Sequence, residues 1–264
     1  MIEPKLSNYG SNTRGNINNF YYVIKNFSST MYNIGCRFEE TKYEFITIIK
    51  RINRTLFKIS EDLKNISIYE QILNQYISEF ELSLDKIGYL NHVFGKDLLR
   101  QYKSIVEHVK KIRDKDQINK IRGLLTEALL CAFLYDSKQQ SKAKLIWDVV
   151  FEINGTLFKH SYIDEEGKSK YVSSADIYYL NDFKQINLFE SKTSPYGVNE
   201  SKEQLEFLNK IQIEFKKHLN ENIKVSVFLL EFKAHPTIKR EIDDIIFHYN
   251  FSLIGCEDIK ALLN

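Results

Sequence analysis

The stretch Ser173-Ser174-Ala175-Asp176-Ile177-Tyr178-Tyr179-Leu180, followed by Ile186-Asn187-Leu188-Phe189-Glu190-Ser191-Lys192, decides how this chain is read. β-Branched and aromatic residues dominate both halves, and Asn181-Asp182 carries turn chemistry, so the pair predicts two short strands. Side chains alternate faces along a strand, which puts Glu190 and Lys192 on one side. Asp176 sits on the preceding strand across a hairpin-sized connection. Two carboxylates and a lysine can therefore meet at one strand pair, where they suit a divalent metal and an activated water. The plainer reading of Glu190 and Lys192 is a same-face ion pair on a solvated sheet. Ile186 and Leu188 share that face, however, and imply that it is covered.

What precedes this stretch reads as helical. Tyr43, Phe45, Ile46, Ile49, Ile52, Leu56 and Ile59 recur at mostly three- and four-residue steps within a helix expected over 38–63. Further helices are expected over 68–80 and 96–113. The last begins a basic run, Arg100 to Arg122, in which eight cations stand against Glu107, Asp114 and Asp116. Such a run is either a solvated helix face or a nucleic-acid footprint. Asp116 then opens a helix over 117–135 whose stripe is Ile118, Ile121, Leu124, Leu125, Ala128, Leu129, Ala132 and Phe133. Its far side turns apolar at Leu130, Cys131 and Leu134, so its end is buried on both sides. Glu127 lies where that second face begins, either as a functional acid or as a structural ion-pair partner. Residues 1–19 are polar and read as an irregular arm, and Phe20–Ile24 is an apolar run that fits strand or helix.

Beyond 141 the period becomes strand-like. Ile146–Ile153, the turn Asn154-Gly155 and Thr156–His160 predict a hairpin. Glu165-Glu166-Gly167-Lys168 supplies another turn into the opening stretch. A helix over 199–219, a buried strand over 225–232, a helix from Pro236 to about Tyr249, a strand over 251–254 and a short helix over 257–263 complete the order. The expected class is α/β, a mixed sheet with flanking helices, preceded by a mainly helical region. Domains are expected at 1–114 and 115–264.

Composition sets the outer limits. The chain has 264 residues, 43% of them hydrophobic and 13% aromatic, enough for a sizeable core and against global disorder. Only 3 prolines and 10 glycines occur, so composition marks no long linker. The net charge of +2 neither favours nor excludes nucleic acid. Cys36, Cys131 and Cys256 are widely spaced, which suggests a reducing compartment with neither a disulfide framework nor a zinc motif. No apolar run reaches bilayer length and no signal-peptide pattern opens the chain, so the expectation is a cytoplasmic protein without a membrane partner. His160 and His235 lack further ligands at metal spacing, the serines near the motif lack an adjacent base, and no phosphate-binding Gly-rich loop occurs.

A helix with an acid, a hairpin reaching Asp176, Glu190-Ser191-Lys192 on the next strand, then a helix and a buried strand: this order resembles the PD-(D/E)XK nuclease superfamily. The likeness spans about residues 115–256. Glu127 matches the family's helix acid, Asp176 the Asp of the first motif half, and Glu190 with Lys192 the Glu-x-Lys half. Ala175 stands where the name motif has proline. Gln204 is similar to the glutamine of the RecB-like branch, whose tyrosine is replaced by Leu208.

The resemblance implies a restriction-endonuclease-like core and metal-dependent hydrolysis of phosphodiester bonds. Asp176, Glu190, the Ser191 carbonyl and Glu127 would hold Mg²⁺, or Mn²⁺ in its place, and Lys192 would act on the attacking water. Lys202, Lys210, Lys110, Lys111 and Arg122 would contact backbone phosphates. DNA is the expected substrate, in restriction or anti-phage defence, with a homodimer or a partner protein possible. The alternative is an inactive nuclease-fold module that binds nucleic acid or protein.

Overall fold

The computed structural model describes residues 2–6, 39–111, 114–134, 144–181, 184–219, 223–231 and 236–256. The chain divides into two compact units, one formed by residues 11–135 and the other by residues 1–10 with 136–264. The dividing point differs from the expected 114, because the helix after it packs with the helices before it. Phe20–Ile24 and 257–263 lie outside the described residues.

The helical unit contains α1 (Glu39–Glu61), a short 3₁₀ turn (Leu63–Asn65), α2 (Ile66–Lys86), α3 (Val93–Lys111) and α4 (Lys115–Leu134). Each helix buries the stripe that its spacing dictates. α1 packs on α4 and α2, and α2 on α3. Ile49, Ile52, Leu56 and Ile59 of α1 are buried, as are Ile118, Ile121, Leu125, Ala128 and Leu129 of α4. Burial of one such side chain contributes about 1.5–3 kcal/mol. Phe80 and Tyr102 join α2 to α3 with ring centroids 4.6 Å apart. Asn53 is buried in the α1–α4 seam, where Arg122 Nε donates to its Oδ1 at 3.1 Å and its Nδ2 donates to the Arg122 carbonyl at 3.3 Å.

The other unit is built on a seven-stranded sheet, β1-β2-β6-β7-β8-β9 in order, with β3 also pairing β2. Its strands are β1 (Ile2–Leu6), β2 (Lys144–Ile153), β3 (Thr156–Leu157), β6 (Ser174–Leu180), β7 (Ile186–Lys192), β8 (Lys224–Leu229) and β9 (Ser252–Gly255). β4 (His160–Ile163) and β5 (Ser169–Val172) form a separate two-stranded ribbon. β2, β6 and β7 are antiparallel neighbours, whereas β8 and β9 add in parallel. Between β7 and β8 lie α5 (Pro195–Asn199) and α6 (Lys202–Leu219), and α7 (Pro236–Tyr249) connects β8 to β9. The fold is thus α/β, with a mixed sheet and flanking helices.

Residues 2–6 correct the irregular arm expected over 1–19, whose remainder lies outside the described residues. Ile2–Leu6 is an edge strand, antiparallel to Val149–Ile153, with Ile2 buried. The Asn154-Gly155 hairpin forms as expected, with φ of 51° and 80°, both left-handed as a type I′ turn requires. One sheet face shares a core with α6 and α7. Leu188, Val225, Val227 and Leu229 meet Leu205, Leu208, Ile211 and Phe215 of α6 and Ile242 and Ile246 of α7. Strand alternation turns Ile177, Phe189 and Phe228 to the opposite face, and they are buried as well. A sheet buried on both faces explains why β7 and β8 read as nearly continuous apolar runs.

Candidate active site

The ladder between β6 and β7 ends at Ile177 opposite Phe189. One residue further, the same register sets Asp176 against Glu190. The Ser191 amide leaves the ladder there and donates to Asp176 Oδ2 at 2.6 Å, tying that carboxylate to β7. Glu190 falls on the covered face after Ile186 and Leu188, and only 2% of it is exposed. A buried carboxylate needs partners, and it has two. Lys192 Nζ lies 2.6 Å from Glu190 Oε1, and Gln204 Nε2 donates to Glu190 Oε2 at 3.0 Å. The solvated-face reading of this pair is therefore excluded by burial.

Gln204 does more than satisfy one oxygen. Its Nε2 also reaches the Ser174 carbonyl at 2.8 Å, so one amide group joins α6 to both β6 and β7 beside the two acids. Around the corner, Gly197 of α5 approaches the aliphatic stem of Lys192. A Cβ on that glycine would meet Lys192 Cδ at 3.6 Å, which is ordinary contact. The lysine is thus flanked along its stem while its ammonium points to Glu190.

A residue not anticipated in sequence stands at the same level of the sheet. Asp148 on β2 falls between the pairs Trp147–Ile177 and Val149–Ala175, opposite Asp176. Its φ of 55° is left-handed, a conformation that aspartate tolerates better than most residues, and the ladder is interrupted there. Asp148, Asp176 and Glu190 thus occupy one row across three adjacent strands. Among the described residues, no three His, Cys, Asp or Glu side chains are grouped so as to hold a metal ion. Magnesium uses only one or two protein carboxylates and keeps water for the rest, so the hard oxygens of Asp176 and Glu190 fit that donor set.

Glu127 lies on α4, in the helical unit, half-buried, with its Oε1 3.8 Å from where a Cβ on Gly123 would sit. The expected phosphate-binding cations have varied surroundings. Lys111, Lys202 and Lys210 are exposed. Lys110 Nζ donates to Asn74 Oδ1 and Glu107 Oε1, both at 2.5 Å, with its side chain only 15% exposed. Arg122 bonds Asn53 and Asn119 and lies 4.9 Å over the Phe57 ring. Lys210 Nζ is 2.7 Å from Nδ1 of the buried His160. An ammonium has only donors, so this Nδ1 accepts, and Nε2 lies 3.1 Å from Glu206 Oε2. Lys110 and Arg122 are therefore integrated into internal contacts, whereas Lys210 stays exposed while meeting His160. Spacing alone carries no signal for that difference.

No protein-family model matches the chain, and no curated protein is similar to it in sequence. Among the described residues, no helix is long and apolar enough to cross a membrane.

Proposed function

We propose that this protein is a metal-dependent nuclease of the PD-(D/E)XK kind, hydrolysing phosphodiester bonds in nucleic acid, with DNA as the favoured substrate. The observation that carries the reading is the meeting of Asp176, Glu190 and Lys192 at the ends of two adjacent strands, with Glu190 buried. The element order supports it: helix, three antiparallel strands, helix, then a parallel strand beside the third.

Asp176 and Glu190, with the Ser191 carbonyl, would hold Mg²⁺ or Mn²⁺. When bound, such an ion lowers the pKa of an attacking water and stabilises charge on the scissile phosphate. The chain's own residues contribute positioning and charge. The Ser191 amide keeps Asp176 Oδ2 turned toward β7, and Gln204 keeps Glu190 from rotating away. Lys192, its stem held beside Gly197, would orient the attacking water and offset negative charge developing at phosphate. Lys202 and Lys210, on the same unit as these acids, are exposed cations available for backbone phosphate. Restriction or other anti-phage defence, as a homodimer or with a partner protein, is the proposed setting.

The test is cleavage of plasmid DNA with Mg²⁺ by the wild type, Asp176→Ala and Lys192→Ala. Each substitution should lower the rate by about 10²–10³, the usual effect of removing one charge-stabilising group. Cleavage that persists in both variants, or that needs no divalent ion, refutes the proposal. A second reading, a nuclease-fold module that binds without cleaving, is favoured by one observation: both Glu190 oxygens already have protein partners. Metal separates the two. An ion at 100 times its Kd stabilises by about 2.7 kcal/mol, so the nuclease should melt higher with Mg²⁺ or Mn²⁺ and the inert module should not.

A further inference from the structure

The β4–β5 ribbon has two unlike faces. Its inward face is anchored to α6. Only 6% of His160 is exposed, with Lys210 on its Nδ1 and Glu206 facing its Nε2, and the Phe158 ring lies 5.8 Å from that of Phe207. The outward face follows from the register, which sets Ser161 opposite Tyr171 and Ile163 opposite Ser169. Lys159 joins that face, its Nζ 4.2 Å over the Tyr171 ring. All five residues are exposed, Ile163 by 67% and Tyr171 by 47%.

Fold stability does not require this apolar surface, because the ribbon is held from its other side. The ribbon's acids are confined to its turn. There Asp164 pairs with Lys170 and accepts the amides of Glu166 and Lys168, and Glu166 pairs with Lys168. Lys159 is the outward face's only formal charge. An aromatic ring with a lysine over one face and two hydroxyls beside it is the chemistry that binds unpaired nucleotides: a base stacks on the ring and the cation meets phosphate. A duplex hides its base faces and would leave the ring unused. The ribbon also runs into the candidate site, since Tyr171 precedes Asp176 by five residues, at most about 17 Å of extended strand.

We propose that the outward face of the β4–β5 ribbon binds a single-stranded segment of the nucleic acid substrate, with Tyr171 as the stacking platform and Lys159 as the phosphate contact. The proposal rests on the nuclease reading and adds the substrate's single-stranded character. Tyr171→Ala, Tyr171→Phe and Lys159→Ala are compared with wild type in full-length protein. Fluorescence anisotropy is measured in EDTA with a labelled oligothymidine strand and with a duplex of equal length. Tyr171→Ala should weaken single-strand binding about tenfold, equivalent to 1.4 kcal/mol, and leave duplex binding unchanged. Tyr171→Phe should bind like wild type, and Lys159→Ala should reduce the salt slope by about 0.7. Circular dichroism melts identify any variant that has lost its fold, and Tyr171→Phe serves as the conservative check. Unchanged single-strand affinity in Tyr171→Ala overturns the proposal, as does an equal loss in Tyr171→Phe or an equal loss on duplex. Cleavage with Mg²⁺ by the same proteins separates the two failures. A wild type that cuts DNA while Tyr171→Ala binds normally sinks the ribbon alone; a wild type that neither binds nor cuts sinks both.

Discussion

Replacing Lys192 by methionine keeps an unbranched apolar stem of similar length beside Gly197 and removes the ammonium, which makes it an informative perturbation of the candidate site. Glu190 is 2% exposed and would retain a single partner, Gln204 at 3.0 Å. Breaking a buried ion pair from one side costs about 3–5 kcal/mol, because the remaining charge stays buried and uncompensated. A loss of about 3–4 kcal/mol corresponds to a fall of roughly 10 °C in the melting temperature of a unit this size. Adding Glu190→Gln to Lys192→Met should recover most of the loss, since a neutral amide then occupies the position. The assay is urea denaturation of wild type, both single variants and the double variant at pH 7, without divalent ions. A coupling energy within about 0.5 kcal/mol of zero would refute the claim that this pair is buried and mutually dependent.

Other predictions follow from the same geometry. Gln204→Leu strips partners from Glu190 Oε2 and the Ser174 carbonyl, so about 1–3 kcal/mol of stability should be lost in denaturant titrations, together with cleavage activity. Gly95→Ala would bring a Cβ to 1.9 Å from the Tyr89 carbonyl oxygen, a clash with backbone, and thermal melts should show a loss of about 1–3 kcal/mol. Burial and then nearby Lys111 hold His108 below its ordinary value of 6.5. The unfolded chain therefore takes up the proton first; this contribution to stability is complete above pH 6.5 and is lost as pH falls from there through the folded value, and His108→Gln should flatten that part of the pH–stability curve. Arg122→Ala should lower stability through the lost Asn53 and Asn119 bonds while leaving oligonucleotide affinity unchanged, as denaturation and anisotropy would show side by side.

How legible the site was depended on the range of each interaction. Glu190 and Lys192 could be put on one face from a two-residue spacing alone, and the apolar neighbours Ile186 and Leu188 correctly implied cover. Gln204 could be matched to a motif, but its grip on Glu190 and Ser174 spans 14 and 30 residues and exists only once α6 lies on the sheet. Lys110 and Arg122 read as phosphate contacts because sequence records charge but not partners. Asp148 escaped notice because only the paired strands put it level with Asp176.

The sequence by itself determined the elements. The i, i+3, i+4 stripes of α1 and α4, the Asn154-Gly155 turn and the apolar runs of β7 and β8 are local patterns, and local backbone geometry obeys them. Tertiary structure alone decided which distant segments meet. Ile2–Leu6 becomes an edge strand because Val149–Ile153 offers it unpaired backbone donors and acceptors, a partnership nearly 150 residues apart that no local preference of a polar N-terminus encodes. Helix α4 joins the helical unit because its stripe is buried against α1, although its position in the chain suggested the other domain. Burial likewise turned Glu190 from a possible surface ion-pair member into a carboxylate that must be satisfied. That desolvation, which only the assembled sheet and α6 impose, gives the Glu-x-Lys pattern its chemical weight.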